Sequence, residues 1–353
     1  MERGQVHRLD RAALAPDVAA KLVAKYRDGG ESGSGRPGSL SHNTEAARAH
    51  VDVVLEAINK ITSIESIREK KFHVVLDSVN SSGRIAGPML LQALGCTVTH
   101  IGGDDSGLFQ HMPEPTEAHL TDLCAQVRDA KADIGFAQDP DADRLAIIDN
   151  TGAYIGEEHT LVLSARAIFS CASAPANPCV ATNLSTSRMI DDFLNETGGR
   201  VVRTPVGEAN VVAGMRDNGC ILSGEGNGGV IWPEVVSIRD SLGAMGLTLS
   251  LLTVRGEPLS QVIASYPGYA IVKRKVDTRE GLASAAVAAI GERHRDERLD
   301  TSDGVRVDFD AQRAWLHVRA SNTEPILRLI AEAPDESTAT AILDEAQGVV
   351  DSL

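Results

Sequence analysis

Three carboxylates at alternate positions stand out in the stretch QDPDADRLAIID, where Asp139, Asp141 and Asp143 lie between two strand-like runs. Carboxylates this close repel one another unless something cationic neutralises them. A loop at the end of a strand can turn all three towards one hard cation, and all-oxygen ligation suits Mg²⁺. An EF-hand loop is excluded, because it needs Gly and Glu where this stretch has Arg144 and Asn150. The stretch therefore predicts a magnesium site, with an acidic surface turn as the alternative.

A second stretch, RASNTEPILRL, crowds polar side chains into a tight turn after a strand. The guanidinium fork of Arg319, the hydroxyls of Ser321 and Thr323 and the amides of the turn would together form a phosphate cradle. Asn322 stands at the bend of this turn. Because Ser, Asn and Thr are also common in ordinary turns, the alternative is a turn that binds nothing.

A third stretch, GEGNGGVIWPE, sets Glu225 and Asn227 among four glycines, which allow a ligand to come close. A carboxylate and an amide can hydrogen-bond neighbouring hydroxyls of a sugar. The stretch is not the dinucleotide-binding fingerprint, since no acidic residue follows on a next strand, and a flexible loop is its alternative. In a fourth stretch, RTPVGEAN, the side chain of Arg203 is predicted to be a solvated charge.

Alternating strands and helices must position these loops. From Lys71 the pattern reads βαβαβ, which is typical of a parallel sheet, and a second unit of similar spacing begins near Gly156. The C-terminal part reads as strand, helix, hairpin, strand and helix. The sequence therefore predicts two consecutive α/β domains with mixed or parallel sheets and then a smaller α+β domain. The predicted segments are 1–43 (a short helix and a Gly/Ser-rich linker), 44–155, 156–257 and 258–353.

Charge and composition argue against several classes of protein. The 353 residues carry a net charge of −15, whereas a nucleic-acid-binding protein would normally show a basic face. No apolar run reaches membrane-spanning length, and the first residues, MERGQVHRLDRAALAPD, contain no apolar signal core. Five cysteines lie far apart without a CxxC pair, which is typical of reduced thiols. We therefore expect a cytoplasmic protein with no nucleic-acid or membrane partner.

The three loops, in this order, resemble those of the α-D-phosphohexomutase family, which includes phosphoglucosamine mutases, phosphomannomutases and phosphoglucomutases. The matching segments are DPDADR at 139–144, GEGNGG at 224–229 and RASNTEP at 319–325. The resemblance implies an isomerase that moves a phosphoryl group between the 1- and 6-positions of a hexose phosphate. It implies a phosphoserine and a hexose 1,6-bisphosphate intermediate, which also acts as activator, and Mg²⁺ as the cofactor.

The resemblance also implies a role for each residue of the loops. The metal would be held by Asp139, Asp141 and Asp143. Arg144 would face the active-site phosphate, and Glu225 with Asn227 would bind the sugar hydroxyls. The phosphate that does not react would be held by Arg319, Ser321, Asn322 and Thr323. The partner implied is thus a small-molecule hexose phosphate.

The sugar loop departs from the family pattern, which has Ser and His where this chain has Asn227 and Gly229. The histidine can serve as an acid/base group, and glycine cannot. The form GEGNGG is more similar to that of archaeal-type phosphoglucosamine mutases and phosphomannomutases. The substrate expected from the resemblance is a glucosamine phosphate, and phosphomannomutase or phosphoglucomutase specificity stays open.

The nucleophile is the second departure. The family's phosphorylated serine lies in a Ser-His-Asn-Pro loop of a first domain, whereas Ser41-His42-Asn43 is followed by Thr44 and by the strand at His73. Ser41 and Asn43 are therefore predicted to cap a helix. The chain is expected to lack most of that first domain and to turn over poorly, and a non-catalytic sugar-phosphate-binding protein is the alternative. A phosphatase of the haloacid dehalogenase kind is disfavoured, because no DxDxT run is present near the N-terminus.

Overall fold

The computed structural model describes residues 14, 16–29, 39, 43–171, 174, 176–277, 281–321 and 326–353. A first helix, α1 (Pro16–Arg27), lies outside the sheets. The rest of the described chain forms two units of helices around a four-stranded sheet and one unit around a five-stranded sheet. The predicted fold class is thus confirmed: two α/β units with mixed sheets are followed by a smaller α+β unit.

The first unit surrounds a sheet in which three parallel strands are joined by one antiparallel strand at the edge. Its elements are α2 (Ala46–Ile61), α3 (Ile64–Lys70), β1 (His73–Asp77), α4 (Gly83–Ala93), β2 (Thr97–Ile101), α5 (Thr121–Ala130), β3 (Ile134–Gln138) and β4 (Leu145–Ile148). The strand order is β2-β1-β3-β4. Helix α3 was not predicted, because it is only seven residues long and lies in the short connection between α2 and β1.

The second unit repeats this topology. Its elements are α6 (His159–Phe169), β5 (Cys179–Asn183), α7 (Met189–Glu196), β6 (Arg200–Thr204), α8 (Glu208–Asp217), β7 (Leu222–Glu225), β8 (Gly229–Ile231), α9 (Ser241–Arg255) and α10 (Leu259–Ala264). The strand order is β6-β5-β7-β8, again with three parallel strands and an antiparallel edge. The connections β3–β4 and β7–β8 therefore occupy equivalent places in the two units.

The third unit is an antiparallel sheet in the order β10-β11-β12-β13-β9, with two helices packed on it. Its elements are β9 (Ala270–Asp277), α11 (Leu282–Arg293), β10 (Arg298–Asp300), β11 (Val305–Phe309), β12 (Ala314–Ala320), β13 (Ile326–Ala333) and α12 (Glu336–Asp351). It has an apolar core of its own, formed by the sheet, α11 and α12. The predicted hairpin corresponds to β11 and β12.

One apolar core runs through the first and second units. Helix α9 is buried around its whole circumference from Ser241 to Leu252, as expected of a helix that is apolar on every face. It packs between α2 of the first unit and α6 of the second. Gly246 allows the close approach, because a Cβ atom there would lie 2.7 Å from the Cδ1 atom of Ile58. The two units are therefore held as one body.

Two smaller predictions are corrected. Helix α2 begins at Ala46 after Glu45, and the side chain of Asn43 accepts a hydrogen bond from the Glu45 N–H at 2.9 Å. Asn43 thus stabilises the turn before the helix and is not its cap, while Ser41 lies outside the described residues. The prediction of five reduced thiols is wrong for Cys179 and Cys220, which form a disulfide because they lie at the starts of the neighbouring strands β5 and β7.

Every helix in the described part of the chain is too short or too polar to cross a lipid bilayer.

Candidate active site

The acidic loop joins β3 to β4 and brings its three aspartates together. One carboxylate oxygen from each of Asp139, Asp141 and Asp143 lies within 4.8 Å of the others. Ala142 takes a left-handed conformation with φ of 57°, which turns the loop back on itself. The carboxylate of Asp139 is fixed, because it accepts hydrogen bonds from the N–H groups of Asp143 and Arg144, each at 3.1 Å.

These residues fit a hard divalent cation. The Oδ1 atom of Asp143 is buried and has no hydrogen-bond partner among the described residues. An unsatisfied buried carboxylate oxygen is costly unless it binds something, and an oxygen-only donor set suits Mg²⁺. The Arg144 Nε atom donates to Asp139 Oδ2 at 2.7 Å, which holds that guanidinium at the edge of the cluster.

Burial and crowding raise the pKa values of this cluster. Burial raises the pKa of Asp143 to about 7 against the opposing charge of Arg239, and Asp139 and Asp141 raise it further. Burial, and after it the charge of Asp139, also raises the pKa of Asp141. A divalent cation would favour the ionised carboxylates and reverse both shifts. The cluster therefore has the electrostatic character of a cation site.

The glycine-rich loop joins β7 to β8 and presents Glu225 and Asn227. The Glu225 Oε1 atom accepts hydrogen bonds from Asn183 Nδ2 at 2.8 Å and from the Gly207 N–H at 3.3 Å. The Asn227 Oδ1 atom accepts from the Gly229 N–H at 3.1 Å. The carboxylate and the amide are thus oriented by the loop itself and by its neighbours.

The acidic and glycine-rich loops meet directly. Arg144 pairs with Gly229 in an antiparallel bridge, and the Leu145 N–H donates to the Gly228 carbonyl at 3.0 Å. Gly228 has a φ of 85°, and a Cβ atom there would lie 2.6 Å from the Leu145 carbonyl oxygen. Because a side chain could not fit at this position, glycine is what lets the two loops join. The aspartate cluster and Glu225 therefore line one continuous site.

The predicted phosphate loop follows β12. Arg319 is buried, and its Nε atom donates to Asp303 Oδ2 at 2.9 Å. Ser321 lies at the end of β12, where its N–H donates to the Ile326 carbonyl at 2.9 Å. Asn322 and Thr323 lie outside the described residues. The structure thus places two of the four predicted phosphate-binding residues side by side at the end of one strand.

A chain of hydrogen bonds links the predicted phosphate loop to the carboxylate of Glu225. Asp303 Oδ2 accepts from Arg319 and also from the Val206 N–H, at 3.0 Å. The next residue, Gly207, donates its N–H to Glu225. Asp303 was not singled out from the sequence, where it reads as an ordinary turn residue before β11. It connects the third unit to the second.

Arg239, in the stretch RDSLGAMGL, was also missed in the sequence. Its Nη2 atom lies 2.5 Å from Asp143 Oδ2, and its Nη1 atom lies 3.4 Å from Glu225 Oε2. The sequence did offer a signal, because Arg239 directly precedes Asp240, a typical helix-capping residue. The Asp240 side chain caps α9 by accepting a hydrogen bond from the Gly243 N–H. Arg239 bridges the acidic cluster and the glycine-rich loop.

The prediction that Arg203 is a solvated charge is wrong. Its guanidinium is mostly buried and donates to the carbonyl oxygens of Asn183, Thr186 and Ser187 and to the carboxylate of Asp191. It therefore ties the turn after β5 to α7 and β6, and serves the architecture of the second unit.

Comparison with known proteins agrees with these loops. Three family models match the chain: phosphoglucomutase/phosphomannomutase alpha/beta/alpha domain II over residues 50–152, alpha/beta/alpha domain III over 157–269, and the C-terminal domain over 271–348. A probable phosphoglucosamine mutase of Methanopyrus kandleri is 34% identical over 316 residues, which cover 89% of this chain and 67% of the relative. A phosphoglucomutase/phosphomannomutase of Thermococcus kodakarensis is 34% identical over 293 residues, covering 82% and 63%.

A solved structure supports the same assignment. The crystal structure of a phosphoglucomutase/phosphomannomutase family protein from Burkholderia thailandensis superposes with a TM-score of 0.79 at 25% identity, covering 97% of this chain and 71% of that chain. The present chain spans about two thirds of the length of the curated relatives that it matches. The chain therefore belongs to the phosphoglucomutase/phosphomannomutase family, matching its domains II, III and IV.

Proposed function

We propose that this chain binds a hexose phosphate across its three loops and serves the transfer of a phosphoryl group between the 1- and 6-positions. The observation that carries the proposal is the direct pairing of Arg144 with Gly229, which makes the aspartate cluster and Glu225 parts of one site. Phosphoryl transfer needs chiefly positioning and neutralisation of charge, and both are available at such a junction. A hexose 1,6-bisphosphate is the intermediate and activator in this proposal.

Each loop has a separate task in the proposal. Mg²⁺, held by Asp139, Asp141 and Asp143, would supply positive charge at the transferring group. Arg144, whose Nε atom is fixed by Asp139, has its terminal nitrogens available to the same phosphate. Glu225 and Asn227 would bind the sugar hydroxyls. The distal phosphate would be bound by Arg319, Ser321, Asn322 and Thr323.

We propose a glucosamine phosphate as the substrate. Five carboxylates surround the junction of the loops, and two guanidinium groups oppose them: Asp139, Asp141, Asp143, Glu208, Glu225, Arg144 and Arg239. Even with Mg²⁺ bound, the carboxylates outnumber the positive charges by one, and a protonated amino group suits this excess better than a neutral hydroxyl does. The name of the Methanopyrus kandleri relative, a probable phosphoglucosamine mutase, supports the same substrate. The predicted cytoplasmic location belongs to this proposal.

The source of the phosphoryl group is proposed to be a serine other than Ser41. The neighbouring Asn43 takes part in the turn that leads into α2, and Thr44 replaces the proline of the family's serine loop. The loops placed here supply binding and charge neutralisation, so this sequence by itself is expected to bind substrate and to turn over poorly.

The test is calorimetric titration with glucosamine 6-phosphate, with and without Mg²⁺, followed by incubation with glucose 1,6-bisphosphate labelled in its phosphates. We expect Mg²⁺-dependent binding, tighter than for glucose 6-phosphate, and no label on Ser41. Covalent label on Ser41 would overturn the assignment of the nucleophile. Failure of every hexose phosphate to bind would overturn the function. Binding of glucosamine 6-phosphate with no turnover, even after a serine-bearing domain of a relative is added, favours the non-catalytic alternative.

A further inference from the structure

The side chain of Arg239 crosses the boundary between the two units at the reaction site. Its side chain is 17% exposed, and its guanidinium lies between Asp143 of the acidic loop and Glu225 of the glycine-rich loop. Its main-chain N–H donates to Glu208 Oε1 at 2.8 Å, which fixes the backbone. Its Nε atom is buried, has no hydrogen-bond partner among the described residues and lies 3.8 Å from Glu208 Oε2. Asp143, Glu225 and Glu208 thus surround the guanidinium.

Gly229 provides the space that this side chain occupies. A Cβ atom on Gly229 would lie 2.3 Å from the Cδ atom of Arg239 and 3.0 Å from its Cγ atom. Real Cβ contacts are never so short, so a side chain at position 229 and the present course of Arg239 exclude each other. Glycine at this position therefore directs Arg239 into the site.

Arg239 remains charged in this position. A guanidinium stays protonated at physiological pH, and its terminal nitrogens lie 2.5 Å from Asp143 Oδ2 and 3.4 Å from Glu225 Oε2. A divalent cation held by Asp143 would be a second positive charge at the same carboxylate. Their mutual repulsion weakens each one's hold on Asp143. A group that carries negative charge and contacts both cations would relieve that repulsion.

We propose that Arg239 is a substrate-binding residue that contacts the phosphoryl group at the reaction centre, and that it makes the binding of the divalent cation and of the hexose phosphate mutually favourable. Asp143 retains a free Oδ1 atom for the cation, and the donors of Arg239 turn from Asp143 and Glu225 to the phosphoryl oxygens. A guanidinium fork is suited to this contact, since it can donate two parallel hydrogen bonds to a phosphate. This inference rests on the proposed function.

The affinity for Mn²⁺, measured by electron paramagnetic resonance of the free ion with and without glucosamine 6-phosphate, tests the inference. In the unmodified protein we expect the sugar phosphate to tighten Mn²⁺ binding by about tenfold, within the usual range of such coupling. In Arg239→Gln, Mn²⁺ alone should bind at least as tightly as before, because a competing charge is removed, while the enhancement falls to about twofold or less. Arg255→Gln, at the far end of α9, is the matched control and should keep the full enhancement.

Two further variants cover the case in which Arg239→Gln does not fold. Arg239→Lys keeps the charge but loses the fork, so Mn²⁺ alone should bind as in the unmodified protein and the enhancement should shrink. Gly229→Ala should shrink the enhancement by displacing the arginine, and its effect should be smaller in an Arg239→Ala background, where only the crowding of Asn227 at 3.1 Å remains.

The opposite results overturn the inference. An enhancement that survives in Arg239→Gln would show that Arg239 does not contact the substrate. A parallel loss of Mn²⁺ binding without sugar phosphate would show a structural role for the arginine. If the unmodified protein binds Mn²⁺ but no hexose phosphate, the proposed function fails and the inference fails with it. If the sugar phosphate still tightens Mn²⁺ binding without Arg239, only the inference is contradicted.

Discussion

At the scale of single residues, the candidate site depends on ion pairs in which a carboxylate fixes the position of a guanidinium group. Asp139 holds Arg144, Asp303 holds Arg319, and Arg239 lies between Asp143 and Glu225. A buried guanidinium needs such carboxylates, because its charge is costly away from water unless it is paired. Arg144 and Arg319, two of the predicted binding residues, therefore each have a carboxylate partner. Asp303, which connects two units, carried no distinctive signal in the sequence.

Asp303 offers a prediction at this scale. In Asp303→Asn, Arg319 loses its charged partner and the Val206 N–H loses a strong acceptor. We expect the affinity for glucosamine 6-phosphate to fall by about tenfold, equivalent to about 1.4 kcal/mol, in calorimetric titration. Mn²⁺ affinity without sugar phosphate should stay unchanged, because Asp303 is no part of the acidic cluster. Asp296→Asn, on an exposed turn, is the control; equal losses in both variants would contradict the role of Asp303.

At the scale of elements, periodicity predicted nearly all strands and helices, and the loops were found at the strand ends where a parallel sheet puts them. What periodicity could not supply were contacts between distant segments. The disulfide joins Cys179 to Cys220, and the Val206 N–H meets Asp303 across 97 positions of the chain. The environment of Arg203 was misjudged for the same reason, because its acceptors are carbonyl groups of a turn that only the fold brings near.

The packing of α9 on α2 predicts a loss of stability when Gly246 is replaced, and Gly348, an unpacked glycine on α12, is the control. In Gly246→Ala the new methyl group would lie 2.7 Å from Ile58 Cδ1, so we expect the free energy of unfolding in urea to fall by about 1–3 kcal/mol. In Gly348→Ala, on α12, the methyl group meets no atom within 4 Å, and we expect a gain of about 0.5–1 kcal/mol from helix propensity.

A second substitution tests whether contact with Ile58 causes the loss of stability in Gly246→Ala. Ile58→Val shortens the side chain that the new methyl group would strike, so adding it to Gly246→Ala should recover part of the lost stability. If the double variant shows only the sum of the two single losses, close packing between α9 and α2 is not the reason that glycine is needed at position 246.

At the scale of the whole molecule, the three units meet around a buried carboxyl group. Glu158, at the start of the second unit, accepts a hydrogen bond from the Ser187 N–H at 2.9 Å, and its carboxyl group packs against Gly226 of the glycine-rich loop. Burial raises the pKa of Glu158 to about 8. Two residues of the third unit also influence its pKa: the positive charge of Lys273 lowers the pKa of Glu158, and the negative charge of Glu332 raises it. The protonation state of Glu158 therefore depends on the packing of the units against one another in the folded chain.

This shift predicts how stability depends on pH. Because the folded state keeps the Glu158 proton between pH 4.5 and about 8 while the unfolded state loses it, the free energy of unfolding should fall as pH rises through that window. The expected contribution is about 1.4 kcal/mol per pH unit at most. Glu158→Gln should make this slope shallower, leaving the part due to Asp143, and should be more stable than the unmodified protein at pH 8 in urea titrations. The exposed variant Glu69→Gln should keep the full slope. An unchanged slope in Glu158→Gln would count against the burial of this carboxyl group.

The pairing of the β3–β4 and β7–β8 loops joins two units that are alike in topology and different in side chains. Equivalent loops of two units with the same strand order meet in an antiparallel bridge. A symmetric dimer of identical subunits would have to place the same side chains on both loops. Because both units belong to one chain, one loop can carry three aspartates while the other is rich in glycine. The junction can therefore be acidic on one side and closely packed on the other.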